Sequence, residues 1–204
     1  VAVDNIFLGL RALGVRALRV RAAGGAVCGT QDLIQVPGTI QYEMHRHQKA
    51  VLGASLRRQG KTEQANKYER EASREIVAAA DVVCATCVTA GGDLLADHRF
   101  SHVLVDEATQ STEAATLIPV VRGCHTLVLI GDQEQLPPTI KSYAAEKAGL
   151  GRSLFERLVD ARFPMTMLRT QYRMHPTLAA FPSRHAYNDK LRTAVLPSER
   201  PAPL

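Results

Sequence analysis

Two adjacent carboxylates follow an apolar, strand-like segment near the middle of the chain, in His102-Val-Leu-Val-Asp106-Glu107. Magnesium prefers oxygen ligands and keeps several waters, so Asp106 at a strand end is sufficient to hold the ion against nucleotide phosphates. Glu107 is then placed to accept a proton from an attacking water. The competing interpretation is that both acids only cap the next helix, because carboxylates favour helix N-termini.

Two further polar segments follow the acid pair of Asp106 and Glu107. They are a glycine turn at residues 131–138 and an arginine segment at residues 171–176. Gly131 lets the backbone change direction after the apolar residues 126–130, and Gln135 supplies an uncharged amide that can sense a phosphate or a water. Further along, Tyr172 offers a ring face for a base, and Arg173 offers the planar fork that phosphates accept best. A plain surface turn and an ordinary surface arginine are the alternatives.

The composition is that of a globular chain. Its 204 residues are 46% hydrophobic and 22% charged, and the formal net charge of +5 modestly favours a polyanionic partner. Four cysteines are too few for a disulfide scaffold and fit a reducing compartment. The sequence has neither an apolar run of about 18 residues nor a secretory signal pattern. We therefore predict an intracellular protein, cytoplasmic or nuclear, without a membrane partner.

The elements that position these side chains alternate between helix and strand. Helical spacing at 6–13 is followed by a strand pattern at 15–20, and strand signals recur at 81–85, 103–105, 126–130 and 166–168. This order predicts an α/β fold with a parallel sheet covered on both faces. Ligands bind such sheets at the carboxyl ends of the strands, and Asp106, Gly131 and Gln171 lie just past the predicted ends.

Residues 41–80 are rich in Glu, Lys, Arg, Gln and Ala with helical spacing and are broken at Gly60. They predict two polar helices that form an inserted hairpin. Gly60-Lys61-Thr62 imitates the end of a phosphate loop, but Ser55 stands where that motif needs its first glycine, and the surroundings are polar helix. The sequence contains no G-x-x-x-x-G-K-[ST] motif.

Cysteine and histidine pairs are the weaker candidates. Cys84 and Cys87 are close in sequence, but a strand directs the two thiols to opposite faces, which favours structural burial over metal or redox chemistry. His45 and His47 are two residues apart on a predicted helix and point in different directions. His175 is expected to support the turn of the arginine segment.

Three segments together resemble motifs II, III and IV of superfamily I helicases, specifically the regulator-of-nonsense-transcripts branch. They are Asp106-Glu-Ala-Thr-Gln110, Gly131-Asp-Gln-Glu-Gln-Leu-Pro-Pro138 and Gln171-Tyr-Arg-Met-His-Pro176. Residues 80–92 resemble that branch's nucleic-acid-contacting motif, residues 1–5 the end of motif Ia, and residues 153–159 the helix after motif III. The resemblance covers nearly the whole chain.

The resemblance implies a role for each matching position. Asp106 would bind Mg²⁺ and Glu107 would act as the general base for water. Gln135 and Arg173 would contact the terminal phosphate of ATP, and Tyr172 would stack on the adenine. Contacts with the backbone of single-stranded nucleic acid, RNA in preference to DNA, are implied for Asn5, Thr86, Thr89, Gly91 and Thr139.

The resemblance also implies a RecA-like P-loop NTPase domain, truncated at its N-terminus. Its start would occupy residues 1–27, an inserted helical subdomain 28–80, its remainder 81–190, and an extended tail 191–204 would lead to a second domain. The phosphate loop is expected just upstream of Val1. The chain would then be part of the motor core of an ATP-dependent helicase in a longer parent, and inactive alone.

Two other interpretations remain open at this stage. One is a non-catalytic helicase remnant that binds single-stranded nucleic acid, against which the acid pair, Gln135 and Arg173 argue. The other is a helicase domain fused to a nuclease or another effector. Regulatory protein partners are compatible with each of these.

Overall fold

A computed structural model describes residues 2–21 and 37–200 of the chain. Cys28, the first part of the predicted subdomain at 28–80 and the end of the predicted tail at 191–204 lie outside the described residues. Within them, helices and short strands alternate along the sequence. None of these helices combines the length and apolar character needed to cross a membrane.

The helices are α1 (Ala2–Ala12), α2 (Ile40–Arg46), α3 (Gln48–Arg58), α4 (Thr62–Ala78), α5 (Cys87–Ala90), α6 (Glu113–Val120), α7 (Tyr143–Lys147), α8 (Leu154–Asp160) and α9 (Pro176–Ala186). The strands are β1 (Ala17–Arg19), β2 (Val82–Cys84), β3 (His102–Val105), β4 (Thr126–Leu129), β5 (Thr170–Gln171) and β6 (Arg192–Thr193). Short 3₁₀ turns occupy Asp93–Leu95, Ala108–Gln110 and Pro197–Glu199.

All the strand pairs in the described part of the chain are parallel. β1 pairs with β2, β3 with β4 and β5 with β6, as three separate two-stranded ladders. This confirms the α/β class with parallel strands. In the central ladder Val105 lies opposite Leu129, so the residues after β3 and β4 leave from the same edge.

The central ladder is covered on one face by the residues that the structure describes. Val105, Ala108 and Phe155 of α8 form a buried cluster beneath it. Leu104 and Val128 point the other way and are 57% and 45% exposed. The expectation of a sheet covered on both faces is therefore wrong for the described residues, because Leu104 and Val128 on the second face stay exposed to solvent.

The strand predicted at 166–168 is also absent. Residues 163–169 have no regular structure, and Leu168 is 78% exposed. The strand begins at Thr170 instead, because the parallel register pairs Thr170 with Arg192 and Gln171 with Thr193. Gln171 consequently lies inside a strand and not past its end.

Within the described residues 37–81, the polar stretch before β2 forms three helices, one more than predicted for 41–80. His47 has extended backbone and separates α2 from α3. The chain then reverses at Gly60, whose φ of +76° favours glycine, and α4 packs along α3. The two helices approach closely at Gly53, where a Cβ would lie 3.1 Å from the carbonyl oxygen of Ala65. Gly60-Lys61-Thr62 is thus a helix–helix turn and not a phosphate loop.

A buried arginine joins α1 to the first strand pair. The side chain of Arg19 is only 7% exposed, and its Nε donates to Oδ1 of Asp4 at 2.8 Å. Its other contacts are the carbonyl oxygens of Val20 and Cys84, at 2.6 and 3.3 Å. Arg21 donates to the same carboxylate oxygen of Asp4 at 2.9 Å. A buried guanidinium that loses its carboxylate partner is costly, so Asp4 should stabilise this unit.

We expect Asp4→Asn to lower the free energy of unfolding. Partial burial opposes ionisation of Asp4, but hydrogen bonds and charges from Arg19 and Arg21 outweigh it and lower its pKa to about 2. The stabilisation is therefore present above the ordinary pKa of 3.8 and is lost as the pH falls towards about 2. For a carboxylate one-third exposed, we expect a loss of about 1 kcal/mol near neutral pH.

Urea unfolding at about pH 7 and about pH 3 measures this effect. The Asp4→Asn variant should lose less stability than the wild-type chain when the pH is lowered. Asp93→Asn is the matched control, because Asp93 is exposed and has no ion pair among the described residues. Equal acid sensitivity of the Asp4→Asn variant and the wild-type chain would contradict the assignment.

Candidate functional site

The predicted acid pair lies in a tight turn between two buried residues, and we call this segment, residues 105–110, the acid turn. Asp106 and Glu107 are both exposed, whereas Val105 before them and Ala108 after them are buried in the core cluster. The amide of Ala108 donates to the carbonyl oxygen of Ile130 at 2.8 Å, which ties the turn to the end of β4. The two carboxylates are thus presented to solvent from a rigid support.

Glu107 adopts a strained backbone conformation. Its φ of 53° and ψ of 40° lie in the left-handed region, which costs a non-glycine residue on the order of 1 kcal/mol. Oε2 of Glu107 accepts a hydrogen bond from Nε2 of Gln110 at 3.1 Å. Among the described residues, no cation lies within ion-pair distance of either acid. The turn therefore holds Glu107 in one direction and leaves both charges available.

Gln110 is a site residue that the sequence reasoning did not assign. It belongs to the same segment as the acid pair and lies three residues after Glu107 in the 3₁₀ turn. Residues three apart share a face in such a turn, so this spacing was the available signal.

The glycine turn lies directly against the acid turn. A Cβ at Gly131 would come within 3.0 Å of Cγ2 of Thr109 and 3.1 Å of its backbone nitrogen. Only glycine fits this approach without a shift of the backbone. Asp132 also donates its amide to Oγ1 of Thr109 at 3.5 Å. The structure therefore brings together the two turns whose closeness the sequence predicts.

Gln135 is held by a carboxylate and a tyrosine. Nε2 of Gln135 donates to Oδ2 of Asp132 at 2.7 Å, and the hydroxyl of Tyr187 donates to the same oxygen at 2.6 Å. The amide of Glu134 donates to Oδ1 at 3.1 Å. Neither Asp132 nor Tyr187 was assigned from the sequence, and Tyr187 is 55 residues away along the chain.

The pKa values of this group follow from its contacts. Partial burial raises the pKa of Asp132, but hydrogen bonds from Tyr187, Gln135 and the Glu134 amide outweigh it and the net shift is downward. The hydrogen bond to Asp132 raises the pKa of Tyr187 to about 12, with burial adding to the effect and a hydrogen bond from Gln135 opposing it. Near neutral pH, Asp132 is ionised and Tyr187 is a donor.

Gln171 shapes the turn that carries the arginine. Its Oε1 accepts from the amides of Arg173 and Met174, both at 2.7 Å, and its Nε2 donates to the carbonyl oxygen of Met174 at 2.9 Å. Tyr172 is 73% exposed and Arg173 is exposed. The turn thus presents both side chains outward.

His175 supports the same turn, as expected. It is 8% exposed, and its Nδ1 accepts from the amide of Thr177 at 3.1 Å as the N-cap of α9. In the described part of the chain, no hydrogen bond or ion pair joins Tyr172 or Arg173 directly to the acid pair. The bond of Tyr187 to Asp132 instead connects the C-terminal end of α9 to the glycine turn.

Three predicted nucleic-acid contacts gather on one helical turn after β2. Thr86 caps α5 by accepting from the amide of Thr89 at 3.2 Å, and the two hydroxyls are 2.7 Å apart. Gly91 ends the helix, and a Cβ there would lie 2.9 Å from Cγ2 of Ile118 on α6. The capping contact is a structural reason for a threonine at position 86. The hydroxyls of Thr86 and Thr89 nevertheless remain close to the surface.

The other two predicted contacts lie apart from this cluster. Asn5 is exposed on α1, which packs against β1 and β2. Thr139 is exposed in an irregular segment, directly after the buried Pro138. No hydrogen bond that the structure records joins either residue to Thr86 or Thr89.

The cysteine pair has no arrangement for metal binding. Cys84 packs with Phe7 and Ala17, whereas Cys87 contacts the cluster around Phe155. Burial raises the pKa of both thiols. The described residues contain no group of three or more His, Cys, Asp or Glu side chains that could hold a metal. A single carboxylate working with nucleotide phosphates, the arrangement predicted for Asp106, needs no such cluster.

Comparison with known families gives two matches along the sequence. A family described as "AAA domain" matches residues 33–143, and a second family with the same description matches residues 150–203. The first match alone covers more than half of the chain and includes both the acid turn and the glycine turn. The second includes the arginine segment.

Curated relatives agree with these matches. The chain is 36% identical over 208 residues to the "Regulator of nonsense transcripts 1 homolog" of Arabidopsis thaliana, covering 98% of this chain and 17% of that protein. It is 36% identical over 213 residues to the "ATP-dependent helicase NAM7" of Saccharomyces cerevisiae, covering 100% of this chain and 21% of that protein. A Neurospora crassa "Regulator of nonsense transcripts 1 homolog" is 51% identical over 131 residues, covering 64% of this chain and 12% of the relative.

The chain thus spans between 12% and 21% of the length of these relatives. Its acid turn, glycine turn and arginine segment all fall within matched regions. The chain belongs to the AAA domain family and, within it, to the superfamily I helicases of the regulator-of-nonsense-transcripts branch.

Proposed function

We propose that this chain is part of the motor core of an ATP-dependent helicase that hydrolyses ATP to translocate on and unwind nucleic acid, RNA in preference to DNA. The observation that carries the proposal is the pairing of two turns. The exposed acids Asp106 and Glu107 lie on one, and Gln135 lies on the other, joined by the contact of Gly131 with Thr109. A similar protein of Saccharomyces cerevisiae bears the name ATP-dependent helicase.

The acid turn would carry the metal ligand and the base. Asp106 fits Mg²⁺, because it is an exposed carboxylate with no competing cation among the described residues. When bound there with ATP, Mg²⁺ would supply neutralisation of phosphate charge. Glu107 would accept the proton of the attacking water, with its carboxylate directed by Gln110.

The other two segments would recognise the nucleotide. Gln135 would sense the terminal phosphate through its amide, and Arg173 would contact the same phosphate through its guanidinium fork. Tyr172, with 73% of its surface exposed, would stack on the adenine. These side chains share no direct bond in the described chain, so the nucleotide itself would bring them into one site.

The turn after β2 would follow the nucleic-acid backbone. Thr86 and Thr89 present paired hydroxyls, and Gly91 ends the same helical turn. Asn5 and Thr139 would add further contacts with the nucleic-acid backbone. Contacts of this type do not depend on base sequence, as a motor that moves along a strand requires.

The proposed architecture is a RecA-like domain with the helices at 28–80 as an inserted subdomain, within a longer chain that supplies a phosphate loop and a second domain. ATP binding would close the two domains on each other, and release after hydrolysis would move the strand. An intracellular location, cytoplasmic or nuclear, and regulation by partner proteins fit this activity.

A non-catalytic helicase remnant that binds single-stranded nucleic acid is the second candidate, and the hydroxyl pair of Thr86 and Thr89 fits it. We expect the 204-residue chain alone to show no ATP hydrolysis above background, because successive backbone donors for the phosphates are missing. The complete protein that carries this sequence should hydrolyse ATP. Steady-state phosphate release from both proteins at equal concentration measures the difference, and robust turnover by the short chain would contradict the account.

A further inference from the structure

We propose that Tyr187 is a positioning residue for Gln135, acting through Asp132. The Tyr187 hydroxyl would fix the carboxylate of Asp132. That carboxylate would in turn fix the side-chain amide of Gln135 where the terminal phosphate of ATP is proposed to bind. The inference rests on the proposed function, because it gives Tyr187 a role in the reaction assigned to Gln135.

The geometry forms a short relay of hydrogen bonds. Oδ2 of Asp132 accepts from Tyr187 at 2.6 Å and from Gln135 at 2.7 Å, while Oδ1 accepts from the amide of Glu134 at 3.1 Å. Hydrogen bonds to an ionised group are roughly twice as strong as neutral ones. The Tyr187 hydroxyl and the Glu134 amide leave the carboxylate little freedom to rotate, and its direction sets that of the Gln135 amide.

The backbone of Tyr187 is held in place at the end of α9. The residue ends α9, where its amide donates to the carbonyl oxygen of Ser183 at 3.2 Å. Its carbonyl oxygen accepts from Lys190 at 2.9 Å. Asn188 and Asp189 follow with φ values of 51° and 58°, which reverse the chain towards β6. These contacts fix the backbone position from which the side chain of Tyr187 reaches Asp132.

The relay joins the two segments that are proposed to contact the terminal phosphate. β6 follows Tyr187 and pairs with β5, the strand that leads into Arg173. Thr193 of β6 donates through its hydroxyl to the carbonyl oxygen of Met174, directly after Arg173. Tyr187 thus couples the position of Gln135 to that of the arginine segment.

The test replaces Tyr187 with phenylalanine in the complete protein, which removes the hydroxyl and keeps the ring. We expect kcat for ATP hydrolysis to fall by about threefold to tenfold, with KM for ATP within about twofold of the wild-type value. The thermal unfolding temperature should change little. Tyr143→Phe is the matched control, because Tyr143 is 71% exposed on α7 and lies outside the relay. Asp132→Asn weakens the same link from its other end and should reproduce the loss of kcat.

A double-mutant cycle with Gln135→Ala separates positioning from a general structural effect. If Tyr187 acts through Gln135, Tyr187→Phe should have no further effect on kcat once Gln135 is alanine. An equal loss of kcat in both backgrounds, or none in the wild-type background, would overturn the inference while leaving Gln135 in its role. If Gln135→Ala itself leaves turnover unchanged, the proposed role of Gln135 fails, and the positioning role fails with it.

Discussion

Replacing Glu107 with glutamine in the complete protein is expected to lower the rate of ATP hydrolysis by about 10²–10⁴-fold and to leave ATP binding intact. Glutamine keeps the size and one hydrogen-bond acceptor of the side chain, so the contact with Gln110 is retained. It cannot accept the proton of the attacking water. The loss should therefore fall on kcat and spare the affinity for nucleotide.

Single-turnover hydrolysis combined with equilibrium binding of a fluorescent ATP analogue separates these two effects. Glu146→Gln is the matched control, because Glu146 is an exposed carboxylate on α7 without a recorded partner among the described residues. The control should hydrolyse ATP at the wild-type rate. Unaltered turnover in the Glu107→Gln variant would remove Glu107 from the role of general base and leave it as a helix-capping residue.

The second large effect is expected at Arg173. Its change to alanine should lower ATP hydrolysis by about 100-fold, because a guanidinium that stabilises phosphate charge in the transition state contributes strongly to the rate. Gln171 sets the backbone of this turn through the amides of Arg173 and Met174. An alanine keeps both amides, so the turn should survive the substitution. Binding of single-stranded RNA should change by no more than about threefold.

Hydrolysis and RNA binding are measured on the same preparation of the Arg173→Ala variant. Arg184→Ala removes an exposed arginine from α9 and serves as the matched control for the loss of one positive charge. It should leave hydrolysis unchanged. The reverse ranking for Arg173→Ala, with RNA binding lost and hydrolysis preserved, would show that Arg173 contacts the strand and not the nucleotide.

The closeness of the acid turn and the glycine turn was predictable from sequence. Both follow apolar strands, and parallel strands bring their carboxyl ends to the same edge. The β3–β4 register, with Val105 opposite Leu129, realises that expectation. Gln171 was expected past a strand end for the same reason, but β5 begins at Thr170, because its position is set by pairing with β6.

The residues that hold the site in place were harder to predict from the sequence. Gln110 lies three residues from Glu107, and this spacing alone could have indicated the contact. Tyr187 contacts Asp132 across 55 residues of sequence. The position of Tyr187 depends on where α9 ends, and no local sequence pattern predicts a contact between residues so far apart. The exposure of Leu104 and Val128 was equally hidden, because an apolar strand pattern does not tell which face receives helices.

RNA-stimulated, magnesium-dependent hydrolysis of ATP by the complete protein is the measurement that distinguishes a helicase motor from a strand-binding remnant. We predict turnover that requires Mg²⁺ and rises when single-stranded RNA is added, more than with single-stranded DNA of the same sequence. Binding of RNA without any ATP hydrolysis would contradict it and would identify the protein as a strand-binding remnant.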